Sequence, residues 1–187
     1  MTLTEYIKDN YDKKFKETHF PFEVTQKTVK KGTIILPYSK ISDKLYFLNQ
    51  GIVEVTVSFN GIEKTMLFSL SNAFFGSYES TLTNKMSSIQ CYAITDCIYE
   101  EFSFDNYQKA CQTSLLINKI GRVELEKNFL RTNQREKDFL TKTTEEMYLD
   151  LIKKNPKILQ NIPLNKIANY FGILPETLSR IRKRIIT

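Results

Sequence analysis

Six side chains suited to gripping or reading nucleic acid lie within nine residues: Glu176, Thr177, Ser179, Arg180, Lys183 and Arg184. Arginine can form a bidentate pair with guanine in the major groove, and glutamate can accept from cytosine N4. The remaining cations suit phosphate oxygens, which fix register without reading sequence. Leu178, Ile181 and Ile185 sit among them at helical spacing. If those three turn inward, the six polar residues face outward or lie at the flanks.

The elements needed to present such a helix are also spelled out. Leu164–Phe171 carries apolar residues at 164, 167, 168 and 171, one face of a second helix. Ala168 is small where two helices would cross. Gly172 tolerates the positive φ of the turn between them, Ile173 can plug the gap, and Pro175 suits a first helical position. Together these features form the pattern of a DNA-binding helix-turn-helix. An ordinary helical hairpin with a solvated basic face is the competing reading, and it lacks a reason for the small residue, the glycine and the apolar residues to be in register.

Charge is distributed in the same sense. The 187 residues carry a formal net charge of +6. Residues 1–112 contain 12 Lys, no Arg and 13 acidic residues, a net −1. Residues 113–187 contain 15 basic and 8 acidic residues, a net +7, and hold all six arginines. This asymmetry indicates a near-neutral domain joined to one that meets a polyanion. The 41% hydrophobic and 26% charged content is that of a globular protein. No apolar run approaches the ~18 residues of a membrane span, and Met1–Tyr6 does not open a signal peptide, so the cytoplasm is the expected location. Cys91, Cys97 and Cys111 lack CxxC spacing, which favours reduced, buried thiols over disulfides, zinc or an iron–sulfur cluster. His19 is the one histidine, too few for a cupin-type metal enzyme. No metal, cofactor or enzymatic activity is expected.

Ahead of the basic half, the period along the chain is first helical and then two. Leu3, Ile7, Tyr11 and Phe15, four apart, predict a helix over residues 1 to about 20. Short strands are predicted at 33–36, 44–49, 52–59, 62–68 and 89–94, punctuated by Gly32, Gly51, Asn60-Gly61 and Gly76. Asn60-Gly61 between alternating runs marks a hairpin. Many short strands at this spacing predict a jelly-roll barrel. From Phe104 the helical period returns, with a long helix from Thr113 to Leu140. A helix of roughly 25 residues reaches about 40 Å, long for one that only covers a small barrel. Its Leu116, Ile120, Val123 and Leu130 are expected to form a dimer seam, with Leu125 and Phe129 on a neighbouring stripe and Lys127, Gln134 and Lys137 interrupting the heptad. Thr143 and Glu146 form a capping box that opens the next helix.

Barrel, long helix and helix-turn-helix in this order resemble the Crp/Fnr family of bacterial transcription regulators. The resemblance rests on Gly32, on Tyr46 through Val55 (YFLNQGIVEV), on Ala73-Phe74-Phe75-Gly76, and on Pro175 through Ile181 (PETLSRI), and it spans nearly the whole chain. It implies an α+β fold: an N-terminal double-stranded β-helix (jelly-roll) sensor domain over 1–112, a connecting and dimerisation helix over 113–140, and a winged-type helix-turn-helix DNA-binding domain over 141–187. It implies base reading by Glu176 and Arg180, with Pro175 where the family usually has Arg. It places an effector pocket at Gly76, Ser77, Ser87, Ser88 and Arg131. Members that bind cAMP carry Gly-Glu at the start of this cassette and Arg-Ser or Arg-Thr at its end. Here the pairs are Gly76-Ser77 and Ser87-Ser88. A buried anionic phosphate needs a charged partner, and Lys85 would offer only a point charge without the guanidinium fork, so cAMP is not the expected effector. The implied protein is a homodimer on a near-palindromic duplex, with RNA polymerase as a further partner and a small-molecule effector other than cAMP. A barrel sensor with a protein-binding tail is the alternative.

Overall fold

The computed structural model describes residues 1–156 and 158–186, and for Ile186 the helical backbone alone. Lys157 and Thr187, both inside segments read from the sequence, lie outside the described residues. The chain divides into two compact units, Met1–Arg122 and Val123–Thr187.

The first unit contains two four-stranded antiparallel sheets. One has the order β1(Thr25–Val29), β8(Cys97–Ser103), β3(Lys44–Gln50), β6(Ala73–Phe75). The other runs β2(Ile34–Leu36), β7(Ile89–Ala93), β4(Ile52–Phe59), β5(Ile62–Leu70). Alternation along each strand separates two cores. Leu36, Tyr46, Leu48, Val53, Val55, Phe75, Cys91, Ala93, Cys97 and Tyr99 form the cluster shared by the two sheets. Phe47 and Phe102, next along β3 and β8, point to the other side and pack with Leu3, Ile7, Phe15, Ala110, Ile117 and Ile120. The hairpin at Asn60-Gly61 has both central residues at positive φ, 51° and 75°, as a type I′ turn requires.

The first helix is shorter than its apolar period suggests. α1(Leu3–Asn10) is opened by a capping box between Thr2 and Glu5 and ends at Tyr11. Phe15 still reaches the core, from a loop before a 3-10 turn at Glu17–His19. Burial of an aromatic therefore kept the period without keeping the helix. β8 lacks an apolar alternation because Glu100 and Glu101 sit in its middle. Glu100 is buried and accepts from the Leu3 amide and from Asn49 Nδ2, both at 2.6 Å. Its carboxylate thus satisfies the open N-terminus of α1 and pins it to the sheet.

α2(Tyr78–Thr83) follows β6, and α3(Phe104–Thr113) follows β8. Ser114 breaks the helix in an extended conformation and its hydroxyl accepts from the Ile117 amide, opening α4(Leu115–Thr141). Gly121 allows the Tyr107 hydroxyl to lie where a Cβ would be, 1.7 Å from that position, so α3 and α4 pack closely. The second unit continues with α5(Thr144–Lys154), α6(Ile158–Asn161), α7(Leu164–Tyr170) and α8(Pro175–Ile186). The Thr143–Glu146 capping box opens α5 as expected. Among the described residues this unit contains no strand, so the winged-type expectation finds only its helices here.

Candidate nucleic-acid interface and sensor cassette

α7 and α8 meet where the sequence makes contact cheapest. Ile167, Ala168 and Leu178 have no exposed surface at all, and Phe171 and Ile181 are buried. Tyr148 from α5 and Ile158 and Ile162 from the α6 region complete the core. Gly172 turns the chain at φ +69°, and its amide bonds to the Asn169 carbonyl. The Ile173 amide bonds back to the Ala168 carbonyl. Leu174 offers its carbonyl to the amides of Thr177 and Leu178, which starts α8 with Pro175 as its first residue.

With Leu178 and Ile181 committed to the core, the rest of α8 has a fixed outer face. Glu176, Arg180, Lys183 and Arg184 are exposed, and Thr177 and Ser179 are half-buried at its margins. Arg180 leans on the Thr177 hydroxyl at 3.5 Å. Arg184 is engaged differently: its guanidinium forms an ion pair with Glu145 in the first turn of α5. Nothing in the local pattern of α8 signals that pairing, because its partner is 39 residues away.

Two further contacts tie this unit together. The Arg135 guanidinium lies 4.8 Å from the Phe139 ring centroid and 4.9 Å from that of Tyr170, joining α4 to α7. Lys142 bridges Asp138 at 2.8 Å and Asp150 at 2.6 Å, joining α4 to α5. These bonds hold both carboxyls below the usual range and raise the Lys142 ammonium.

α4 does not offer its expected seam intact. Ile120 is buried and Leu116 packed in the first unit's own cluster, together with Ile117. Burial against the barrel satisfies that part of the stripe. Val123 is half-buried, and farther along Leu125, Phe129 and Leu130 are 42%, 65% and 66% exposed. The unpartnered apolar surface therefore starts later than the sequence pattern suggests.

The effector residues divide in the same way. Gly76, Ser77, Ser87 and Ser88 come together in the cassette around α2. Arg131 belongs to the second unit, where it donates to Asn128 on its own helix at 2.8 Å. The cassette hydroxyls are spent on the backbone and, for Ser88, on a carboxylate. Ser77 caps α2 by accepting from the Ser80 amide. Ser80 accepts from the Ser42 amide and donates to the Lys85 carbonyl. Ser87 is buried, donates to the Ile89 carbonyl at 2.8 Å and accepts from the Ile89 amide. Ser88 donates to Glu79. Gly76, at φ +121°, leaves room for Tyr46, whose ring would lie 2.9 Å from a Cβ added there. Tyr46 stacks on Phe75 at 5.2 Å, and Tyr99 closes the trio at 5.9 and 5.8 Å. Burial raises the Tyr46 hydroxyl and pushes the Cys91 thiol up to about 12. Cys91 and Cys97 are thus members of the barrel core, while Cys111 is half-buried outside it. Among the described residues no group of three His, Cys, Asp or Glu is placed to hold a metal ion, and no helix is long and apolar enough to cross a membrane.

Residues 26–114 match the family model of the cyclic nucleotide-binding domain. This region is a cyclic nucleotide-binding domain. No match was found among curated proteins by sequence. Solved structures share the fold over most of the chain. FixK2 from Bradyrhizobium japonicum is 17% identical, with 87% of this chain and 84% of that one covered and a TM-score of 0.71. CLP, a c-di-GMP responsive global regulator from Xanthomonas campestris, is also 17% identical, with 87% and 86% covered and a TM-score of 0.68. A protein from Eubacterium rectale assigned to the crp/fnr family of transcriptional regulators is 16% identical, with 96% and 80% covered and a TM-score of 0.68. The resemblance to Crp/Fnr regulators is therefore borne out, by a domain match in the first unit and a fold match along the chain. Within the cyclic nucleotide-binding domain, the Tyr46–Phe75–Tyr99 trio leaves no signal in the sequence, because its three members lie on separate strands. In the second unit the Arg135–Tyr170 stack and the Glu145–Arg184 pair were equally hidden, because their members are far apart along the chain.

The Lys142 bridges set an expectation for acid. Unfolded carboxyls protonate around about pH 4. Asp138 and Asp150, held lower when folded, contribute stability above that pH and lose it as pH falls through their folded values. Thermal melts of Lys142→Met and the parent should differ at neutral pH and converge well below about pH 4. An undiminished difference in acid would show that Lys142 stabilises by packing alone.

Proposed function

We propose that the chain is a homodimeric, sequence-specific DNA-binding transcription regulator of the Crp/Fnr type, acting in the cytoplasm, with RNA polymerase as a downstream partner. One observation carries this reading: the apolar stripe of α8 is consumed by α7, while Glu176, Arg180, Lys183 and Arg184 remain on the opposite, exposed face. Two copies of this helix would enter successive major grooves about 34 Å apart on a near-palindromic site. Glu176 and Arg180 would read bases, Lys183 and Arg184 would meet phosphates, and Thr177 and Ser179 would supply shorter contacts.

The second copy would cover Leu125, Phe129 and Leu130, whose exposure on a long helix otherwise leaves apolar area in water. The barrel would act as a sensor for something other than cAMP. Three observations support this. Residues 1–112 contain no arginine to pair with a cyclic phosphate. The Ser87 hydroxyl is turned to the Ile89 backbone. Ser77 stands where a ribose-gripping carboxylate would be needed, and it caps α2 instead. An effector on this cassette would be one whose recognition requires no guanidinium.

Selection from a randomised duplex pool should enrich two related half-sites. On the enriched site Arg180→Ala should weaken binding by about 1–3 kcal/mol and relax one base position. Equal weakening on every sequence would reduce Arg180 to a phosphate contact, and no enrichment would favour a tail that binds protein. For the subunit contact, Phe129→Glu together with Leu130→Glu should shift the species seen in sedimentation from dimer to monomer. An unchanged dimer would place the interface elsewhere.

A further inference from the structure

The ion pair between Arg184 and Glu145 joins the two ends of the second unit's helical core. Glu145 lies in the first turn of α5, where a carboxylate is favoured by the helix dipole, and Arg184 lies in the last turn of α8, where a cation is favoured. The neighbouring carboxylate, Glu146, is already occupied: it accepts from the Thr143 amide and hydroxyl in the capping box. Glu145 is thus the member of the acidic pair directed at α8. Its partner belongs to the outward face, with the Arg184 side chain 67% exposed and that of Glu145 36% exposed. An anion held on the guanidinium of a cationic face occupies the place a phosphate oxygen would take.

We propose that Glu145 is an internal stand-in for a DNA phosphate, holding Arg184 until a correctly docked duplex displaces it. The inference rests on the DNA-binding reading and deepens it by naming a residue that governs specificity without touching a base. A duplex that meets α8 only through its backbone must compete with Glu145 for Arg184. A cognate duplex, which adds base contacts, tolerates that competition. Glu145 therefore lowers non-specific binding more than it lowers useful occupancy. It also reduces the salt dependence on such a duplex, because an arginine that stays on Glu145 neutralises no phosphate and so releases no condensed counterion from the DNA.

The test compares the full chain with Glu145→Gln, Arg184→Ala and the double variant on a duplex lacking the selected half-sites, over a range of salt. Far-UV spectra and thermal melts establish that each is folded, and Glu145→Ser serves as a second neutralising variant. Glu145→Gln should bind the non-specific duplex about 2- to 5-fold more tightly, the range open to an exposed ion pair. Its plot of log affinity against log salt should steepen by about 0.9 per α8 engaged. In the Arg184→Ala background the same substitution should change nothing. Unchanged or weaker binding by both neutralised variants would overturn the proposal and make Glu145 a support that presents Arg184. A gain that survives in the double variant would overturn it too, since the effect would then be general charge. A parent protein that binds no duplex even at low salt would instead end the DNA-binding reading itself.

Discussion

The packing of α7 against α8, with Ala168 fully buried, is the contact on which the presentation of the cationic face depends. Two helix backbones approach closely only where one of them has almost no side chain. Ala168, Ile167 and Leu178 are fully buried there. Enlarging Ala168 would force the helices apart, at a cost of about 1–3 kcal/mol for an overpacked core. It would also rotate the cationic face of α8 away from its present direction. Burial on one side and charge on the other are thus one constraint, because the same helix must satisfy both.

The first unit solves a different problem with the same means. Its sheets share a core rich in aromatic rings, and the cassette between β6 and β7 is stitched by serine hydroxyls. Ser77, Ser80 and Ser87 all bond within the fold. The cassette of this cyclic nucleotide-binding domain holds neutral serines at 77, 87 and 88, and residues 1–112 hold no arginine. The charge of the chain follows suit: near neutrality across the barrel and positive charge where a duplex would lie.

Much of this was legible in the sequence, for reasons that can be stated locally. Asn60-Gly61, Gly172, Pro175 and the Thr143–Glu146 box each act over a few residues, so their signals survive without knowledge of the fold. The strands β2, β3, β4, β5 and β7 were visible as short apolar runs. β1 was not, because its surface is polar, and β8 was not, because the buried Glu100 is defined by the Leu3 amide and Asn49 far along the chain. The same distance hid the Tyr170 side of the Arg135 stack and the Glu145 pair. On α4 the period was visible but not its consumer: Leu116 and Ile120 look like a subunit seam until the barrel is seen to use them.

The central claim is that α8 enters the major groove twice, in symmetric copies. The most direct measurement is protection of guanine N7 on a duplex carrying the enriched site. Two protected patches are expected on the same face, about one helical turn apart, each lost when Arg180 is truncated. One patch alone, or protection confined to backbone positions and indifferent to Arg180, would contradict it.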